Sequence, residues 1–98
     1  MNSRPDRFIF SVCDGHGVNG HYCSAFLRRV LPYKIELALA REIDNIDDDF
    51  IENSLSLGFL QASKELLESN IDCTFSGSTC VLLLVIGKDN NNNNKNID

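Results

Sequence analysis

Phe8, Ile9, Phe10 and Val12 form a short run of β-forming apolar residues near the start of the chain. The pattern predicts a strand over residues 7 to 13, apolar on both faces, as in the centre of a sheet. After a glycine-rich break the period lengthens. Tyr22, Phe26 and Val30 recur at i, i+4, i+8, widened by Cys23, Leu27 and Leu31. This predicts a helix from about 20 to 31 with that ridge facing the core and Asn19 as its N-cap. Pro32 is expected to interrupt it, because proline disfavours the helical conformation at Leu31. Arg28 and Arg29 would then lie in the last turn and complement the helix dipole. A second helix is expected from Tyr33 to about Ile43, with Ile35, Leu39 and Glu42 spaced by turns. A third, from about 48 to 69, carries the stripe Ile51, Leu55, Phe59, Ala62 and Leu66, with Asp47 to Asp49 at its start. Gly58 within it marks a close crossing, and Ser69-Asn70 ends it. The run Cys80 to Ile86 predicts a buried strand of about residues 78 to 86. Its lead-in of Ser76, Gly77, Ser78 and Thr79 lets another backbone pack closely at the strand's end.

Outside these elements, residues 1 to 6 are polar and expected to fray. Asn90 to Asn94, with Asn96 beyond, make residues 88 to 98 a low-complexity, solvated loop. Ninety-eight residues make one small domain at most. A net charge of −5 with scattered basic residues leaves no stripe to neutralise nucleic-acid phosphates, and it disfavours an anionic membrane surface. Acidity does not exclude a phosphate-bearing substrate if metal ions bring positive charge locally. The start of the chain lacks the apolar core of a signal peptide, and the longest apolar run is too short to cross a bilayer. Four cysteines permit disulfides. Without a secretory context, reduced thiols and an intracellular setting, cytoplasmic or nuclear, are the expectation.

The chemistry concentrates at Asp14-Gly15-His16-Gly17, just past the first strand. A carboxylate at a strand end, beside exposed carbonyls and an imidazole, suits a hard divalent cation. The plainer alternative is a polar turn in which Asp14 caps the following helix. Gly15-x-Gly17-x-x-Gly20 also matches a dinucleotide fingerprint, which needs a second strand ending in an acid about 20 residues later. Ile35-Glu-Leu-Ala-Leu followed by Glu42 and Asp44 stands near that place, although its composition favours helix. Cys13, His16, His21 and Cys23 are four zinc-capable side chains at irregular spacing, and the two thiols read more simply as small buried hydrophobes. The acidic run Asp47 to Asp49 could bind a metal but reads better as a loop and helix cap.

Phe10-Ser-Val-Cys-Asp14-Gly15-His16-Gly17, then Gly20-His21 and a helix ending Leu31-Pro32, then Ser76-Gly77-Ser78-Thr79-Cys80 opening a strand, resembles the metal-dependent protein phosphatase 2C (PPM-type) family. The similarity covers residues 7 to 87 and has the flavour of plant-type and protozoan members. It implies an α+β fold: part of a four-layer α-β-β-α sandwich, two antiparallel sheets flanked by helices. It also implies two Mn²⁺ or Mg²⁺ ions between the sheets, a metal-activated water, and phosphorylated serine or threonine proteins as substrates. By the resemblance Asp14 bridges both metals, Gly15 offers its main-chain carbonyl to one, and His16 is the general acid that protonates the departing alkoxide. The family's upstream acidic ligand and phosphate-binding arginine, and its later Gly-Asp-Ser-Arg segment and aspartates, have no counterpart in these 98 residues. The chain is therefore expected to be an N-terminal part of such a catalytic domain, inactive by itself. A non-catalytic, phosphatase-like interaction or regulatory module is the alternative function.

Overall fold

The structure, a computed structural model, describes residues 7–87. The expectations for residues 1 to 6 and for the asparagine run fall outside that range. In chain order the elements are β1 (Arg7–His16), α1 (Gly20–Leu39), α2 (Asp48–Glu68) and β2 (Gly77–Ile86). The two strands pair antiparallel with unbroken register, from Arg7 opposite Ile86 to His16 opposite Gly77. Helix α1 packs on one face of this ribbon and touches both strands, while α2 packs along α1. This α+β arrangement is consistent with part of the layered sandwich.

Two helices stand where the apolar periods predicted three. Pro32 lies inside α1, which runs unbroken for 20 residues. A proline in a helix interior costs about 3 kcal/mol. Against that, Cys23, Leu27, Leu31, Ile35 and Leu39 form one i, i+4 ridge at the centre of the core. Leu31, Ile35 and Leu39 are at most 1% exposed, and each such burial contributes about 1.5–3 kcal/mol. Continuity of that ridge outweighs the missing hydrogen bond. The core-facing ridge is centred on the predicted Cys23, Leu27 and Leu31, with Val30 buried and Phe26 packed against it, whereas Tyr22 is exposed. Arg28 and Arg29 fall in the middle of the helix rather than in its last turn, with Arg29 over the Phe26 ring. Arg41 serves the C-terminus instead: its Nε donates to the Ala38 carbonyl at 2.8 Å and its Nη2 to Ser54 Oγ at 3.3 Å on α2.

Helix α2 begins as expected, with Asp47 Oδ1 accepting from the Phe50 amide at 2.8 Å. It ends with Ser69 Oγ donating to the Leu66 carbonyl at 2.6 Å. Its most buried positions include Ser54, Gly58 and Ala62, small residues at i, i+4, i+8. That row brings the two helix backbones together: a Cβ on Gly58 would lie 2.5 Å from Ile35 Cγ1 and 3.1 Å from Ile35 Cα. Lys34 and Glu65 close an ion pair across the same interface. At the far end of the ribbon, Arg7 Nε donates to Glu36 Oε1 at 2.9 Å; both side chains are buried, and the pair locks the start of β1 to the last turn of α1.

The strands alternate cleanly. Ile9, Cys13, Cys80, Leu82 and Leu84 pack on the core. Phe8, Phe10 and Val12 stand exposed on the opposite face beside their partners Val85, Leu83 and Val81. The expectation that both faces of β1 are buried is not met among the described residues, where β2 is its one partner.

The Gly58 crossing has a measurable sign. Alanine at an ordinary helix position gains about 1 kcal/mol over glycine, whereas overpacking against a fully buried Ile35 costs about 1–3 kcal/mol. Gly58→Ala is therefore expected to destabilise the protein in urea unfolding; a stabilised variant would show that the helices yield freely at this point.

Candidate functional site

Asp14, Gly15 and His16 end β1, and a tight turn carries the chain from there into α1. The turn works because its points of closest backbone contact carry no side chain. A Cβ on Gly15 would fall 1.9 Å from the Gly20 carbonyl oxygen, and one on Gly20 would fall 2.7 Å from Gly15 C. Gly17 takes φ +86°, and a Cβ there would meet the Phe75 carbonyl oxygen at 2.1 Å. The Gly20 amide donates to the Gly17 carbonyl at 3.1 Å.

The loop before β2 holds this turn from the other side. The Asn19 amide donates to Ser76 Oγ at 2.8 Å, and its side-chain Nδ2 donates to the Asp72 carbonyl at 2.8 Å. Asn19 stands at the N-cap position of α1, but its side chain makes no cap hydrogen bond. Its amide is spent on the loop instead. Asp72 Oδ1 in turn accepts from Thr74 Oγ1 at 2.7 Å and from the Thr74 amide at 3.0 Å. Those two bonds, the side-chain one foremost, hold the Asp72 carboxyl below its ordinary pKa. The small residues opening β2 do admit a neighbouring backbone, as their composition suggested.

Alternate strand residues share a face, so Asp14 and His16 project from the open side of the ribbon, both exposed. They continue the row begun by Phe8, Phe10 and Val12. Asp14 sits opposite Thr79, whose Oγ1 donates to the Asp14 main-chain carbonyl at 3.4 Å. The His16 ring lies over Gly77, where an added Cβ would come 3.0 Å from Nε2. Gly15 is half-buried between them.

The zinc set is split by the same alternation. Cys13 faces the core and donates to Cys80 Sγ at 3.1 Å; Cys23, fully buried, lies 3.9 Å from Cys73 Sγ. His21 is exposed and rests against the Tyr22 ring. The dinucleotide reading loses its second strand, because Ile35 to Leu39 is the last stretch of α1 and the two strands run antiparallel. Asp47 caps α2, as its loop-and-cap reading had it. Among the described residues no three His, Cys, Asp or Glu side chains converge. Asp14 and the Gly15 carbonyl are hard oxygen donors of the right kind for Mg²⁺ or Mn²⁺, but two six-coordinate ions need more than this pair supplies. The residues present thus fit one edge of such a centre. No helix among the described residues is long and apolar enough to cross a membrane.

Sequence reasoning named Ser76 and Thr79 as a small-residue strand opening but found neither their hydrogen-bond partners nor the pairing of the cysteines. Their partners lie 50 or more residues away in the chain. Only the strand register, with Cys13 and Cys80 directly opposite, could have joined the thiols.

The α+β layer and the glycine turn bearing an acid and an imidazole fit a phosphatase-like class of protein, and comparison with known proteins agrees. The chain is 32% identical over 87 residues to "Probable protein phosphatase 2C 35" of Arabidopsis thaliana, covering 89% of this chain and 23% of that protein. It is 35% identical over 91 residues to "Probable protein phosphatase 2C 72" of the same plant, covering 86% and 27%. To "Probable protein phosphatase 2C 14" of Oryza sativa subsp. japonica it is 29% identical, covering 89% and 23%. No family model matches, and no solved structure matches. Along most of its length the chain is therefore similar to protein phosphatases 2C, and it spans about a quarter of the length of the curated relatives it matches.

Two outcomes test this construction. Gly15→Ala puts a methyl group onto a backbone carbonyl, so the turn must open; a loss of at least about 2 kcal/mol in stability is expected, measured by denaturant unfolding. The thiol layer gives a pH dependence. Burial, then the hydrogen bond and charge of Cys13, push Cys80 from 9.0 up to about 12. The folded protein keeps this proton when the unfolded chain has lost it, so stability is full below pH 9 and declines as pH rises toward 12. Cys80→Ala should flatten that decline in unfolding curves taken across the window.

Proposed function

We propose that this chain supplies the Asp14–His16 corner of a metal-dependent protein serine/threonine phosphatase. The observation that carries the reading is the placement of Asp14 and His16 on one exposed strand face, held by a turn that only glycines can make. The similarity to curated protein phosphatases 2C supports it. In this reading the Asp14 carboxylate and the Gly15 carbonyl hold two Mn²⁺ or Mg²⁺ ions together with ligands beyond the described residues. Such ions, when bound, supply positive charge to a phosphoryl group and lower the pKa of water. His16 delivers a proton to the departing serine or threonine oxygen, a task suited to an imidazole at neutral pH. The open apolar face fits the same reading: Phe8, Phe10, Val12, Val81, Leu83 and Val85 are all more than 40% exposed. A second sheet laid over them would bury Asp14 and His16 at the seam. The substrates are phosphoserine and phosphothreonine proteins inside the cell.

The experiment uses the full-length protein. Asp14→Asn removes the bridging charge at nearly constant shape, so Mn²⁺ binding by calorimetry and turnover should both collapse. His16→Ala should leave Mn²⁺ binding intact while turnover of a phosphoserine peptide falls about 10²–10⁴-fold. The loss should be smaller on an activated aryl phosphate, whose leaving group hardly needs a proton. Equal losses on both substrates would remove His16 from the general-acid role. Wild-type protein that binds partners but turns over neither substrate would favour the non-catalytic interaction module.

A further inference from the structure

All four cysteines of the chain are described, and they stand as two thiol pairs in the layer between the sheet and α1. Cys13 and Cys80 are directly opposed in the register, with their sulfurs 3.1 Å apart. All four are free thiols. The two pairs differ in access. Cys23 is fully buried beside a half-buried Cys73, whereas Cys13 and Cys80 are both half-buried. Cys80 also lines a cavity of about 180 Å³ between β2, α1 and α2, walled by Leu27, Leu31, Phe59 and Ala62. A molecule as small as hydrogen peroxide can enter such a space.

We propose that Cys13 and Cys80 are a peroxide-responsive dithiol that closes into a cross-strand disulfide one rung from Asp14. The chemistry balances with hydrogen peroxide as the two-electron oxidant. The Cys13 sulfur, 3.1 Å from that of the cavity-lining Cys80, gives an electron pair to a peroxide oxygen, the O–O bond breaks, and water leaves behind a sulfenic acid on Cys13. The second thiol attacks that sulfur, the S–S bond forms, the S–O bond breaks, and its proton leaves with the second water. The opposed side chains need little rearrangement: the sulfurs must close to about 2.05 Å and the Cβ atoms to about 3.8 Å. Directly opposite residues in a ribbon ordinarily hold their Cβ atoms about 4.5–5.5 Å apart. The disulfide therefore draws the strands together beside the Asp14–Thr79 rung, where Thr79 Oγ1 donates to the Asp14 carbonyl. Oxidation thereby shifts the carboxylate proposed to hold metal. This last coupling rests on the proposed function, whereas the disulfide does not.

Disulfide mapping tests the proposal directly. The full-length protein is treated with hydrogen peroxide, its remaining thiols are alkylated, and the linked peptides are identified by mass spectrometry. The expected result is a Cys13–Cys80 link that dithiothreitol reverses, with Cys23 and Cys73 still alkylatable after unfolding. In Cys80→Ser the sulfenic acid on Cys13 has no partner, so dimedone should label it. Chain proximity alone gives a different pattern. Cys13 and Cys23 are ten residues apart and Cys73 and Cys80 seven, against 67 between Cys13 and Cys80. Loop closure favours the short links by about 20-fold in an unfolded chain. Predominance of those short links, or Cys13 and Cys80 left as thiols, overturns the proposal. Calorimetry with Mn²⁺ then reads the coupling: a several-fold change in affinity on oxidation supports it, and identical affinities overturn it. Absence of Mn²⁺ binding in the reduced protein would defeat the metal reading while the mapped disulfide stood.

Discussion

Everything in this fold turns on two glycines that touch through their backbones. Gly15 closes β1 and Gly20 opens α1, and a carbon atom added to either collides with the other. That contact sets the angle at which the helix leaves the strand. The angle lays α1 across both strands, and the ridge from Cys23 to Leu39 then buries itself against the ribbon. The turn also leaves the strand face beyond it unobstructed, so Asp14 and His16 face outward instead of into the helix. A side chain at either glycine would cost the core and the site together.

The elements with strong local signals were legible in the sequence. Both strands, the start and end of α2, the Gly58 crossing and the glycine turn were read from period and residue type. Local rules failed where tertiary packing overrode them. Pro32 reads as a helix break because nothing near it in the chain reveals that Leu31, Ile35 and Leu39 continue one buried ridge. Asn19 reads as a cap because its real partners, Ser76 and the Asp72 carbonyl, lie beyond any local window. The apolar outer face of β1 announced a covering layer that the described residues do not themselves provide.

The candidate site was named from residue types, an acid and an imidazole flanking a glycine, and strand alternation places the two side chains on a common face. The cysteines were read as small residues in apolar surroundings, which is where they lie, but their pairing was invisible. It arises from a register fixed by residues at opposite ends of the chain. Arg41 is a similar case, with partners no local rule supplies: it donates to the Ala38 carbonyl at the end of α1, reaches Ser54 on α2 and lies over the Phe50 ring.

The ribbon joins the first described strand to the last, and this has a consequence for synthesis. His16 pairs with Gly77, so 60 intervening residues must be translated before β1 meets its partner. At roughly 5–20 residues per second, this leaves about 3–12 s in which the strand is unpaired. During that time Phe8, Ile9, Phe10 and Val12 form an apolar segment with open backbone groups, the kind that nascent-chain chaperones bind. The helical pair can form meanwhile, since its contacts are local and fast. The ridge of α1 then offers β1 a surface to rest on before β2 emerges. Assembly from the helices outward would keep the sticky strand occupied until the ribosome delivers its partner.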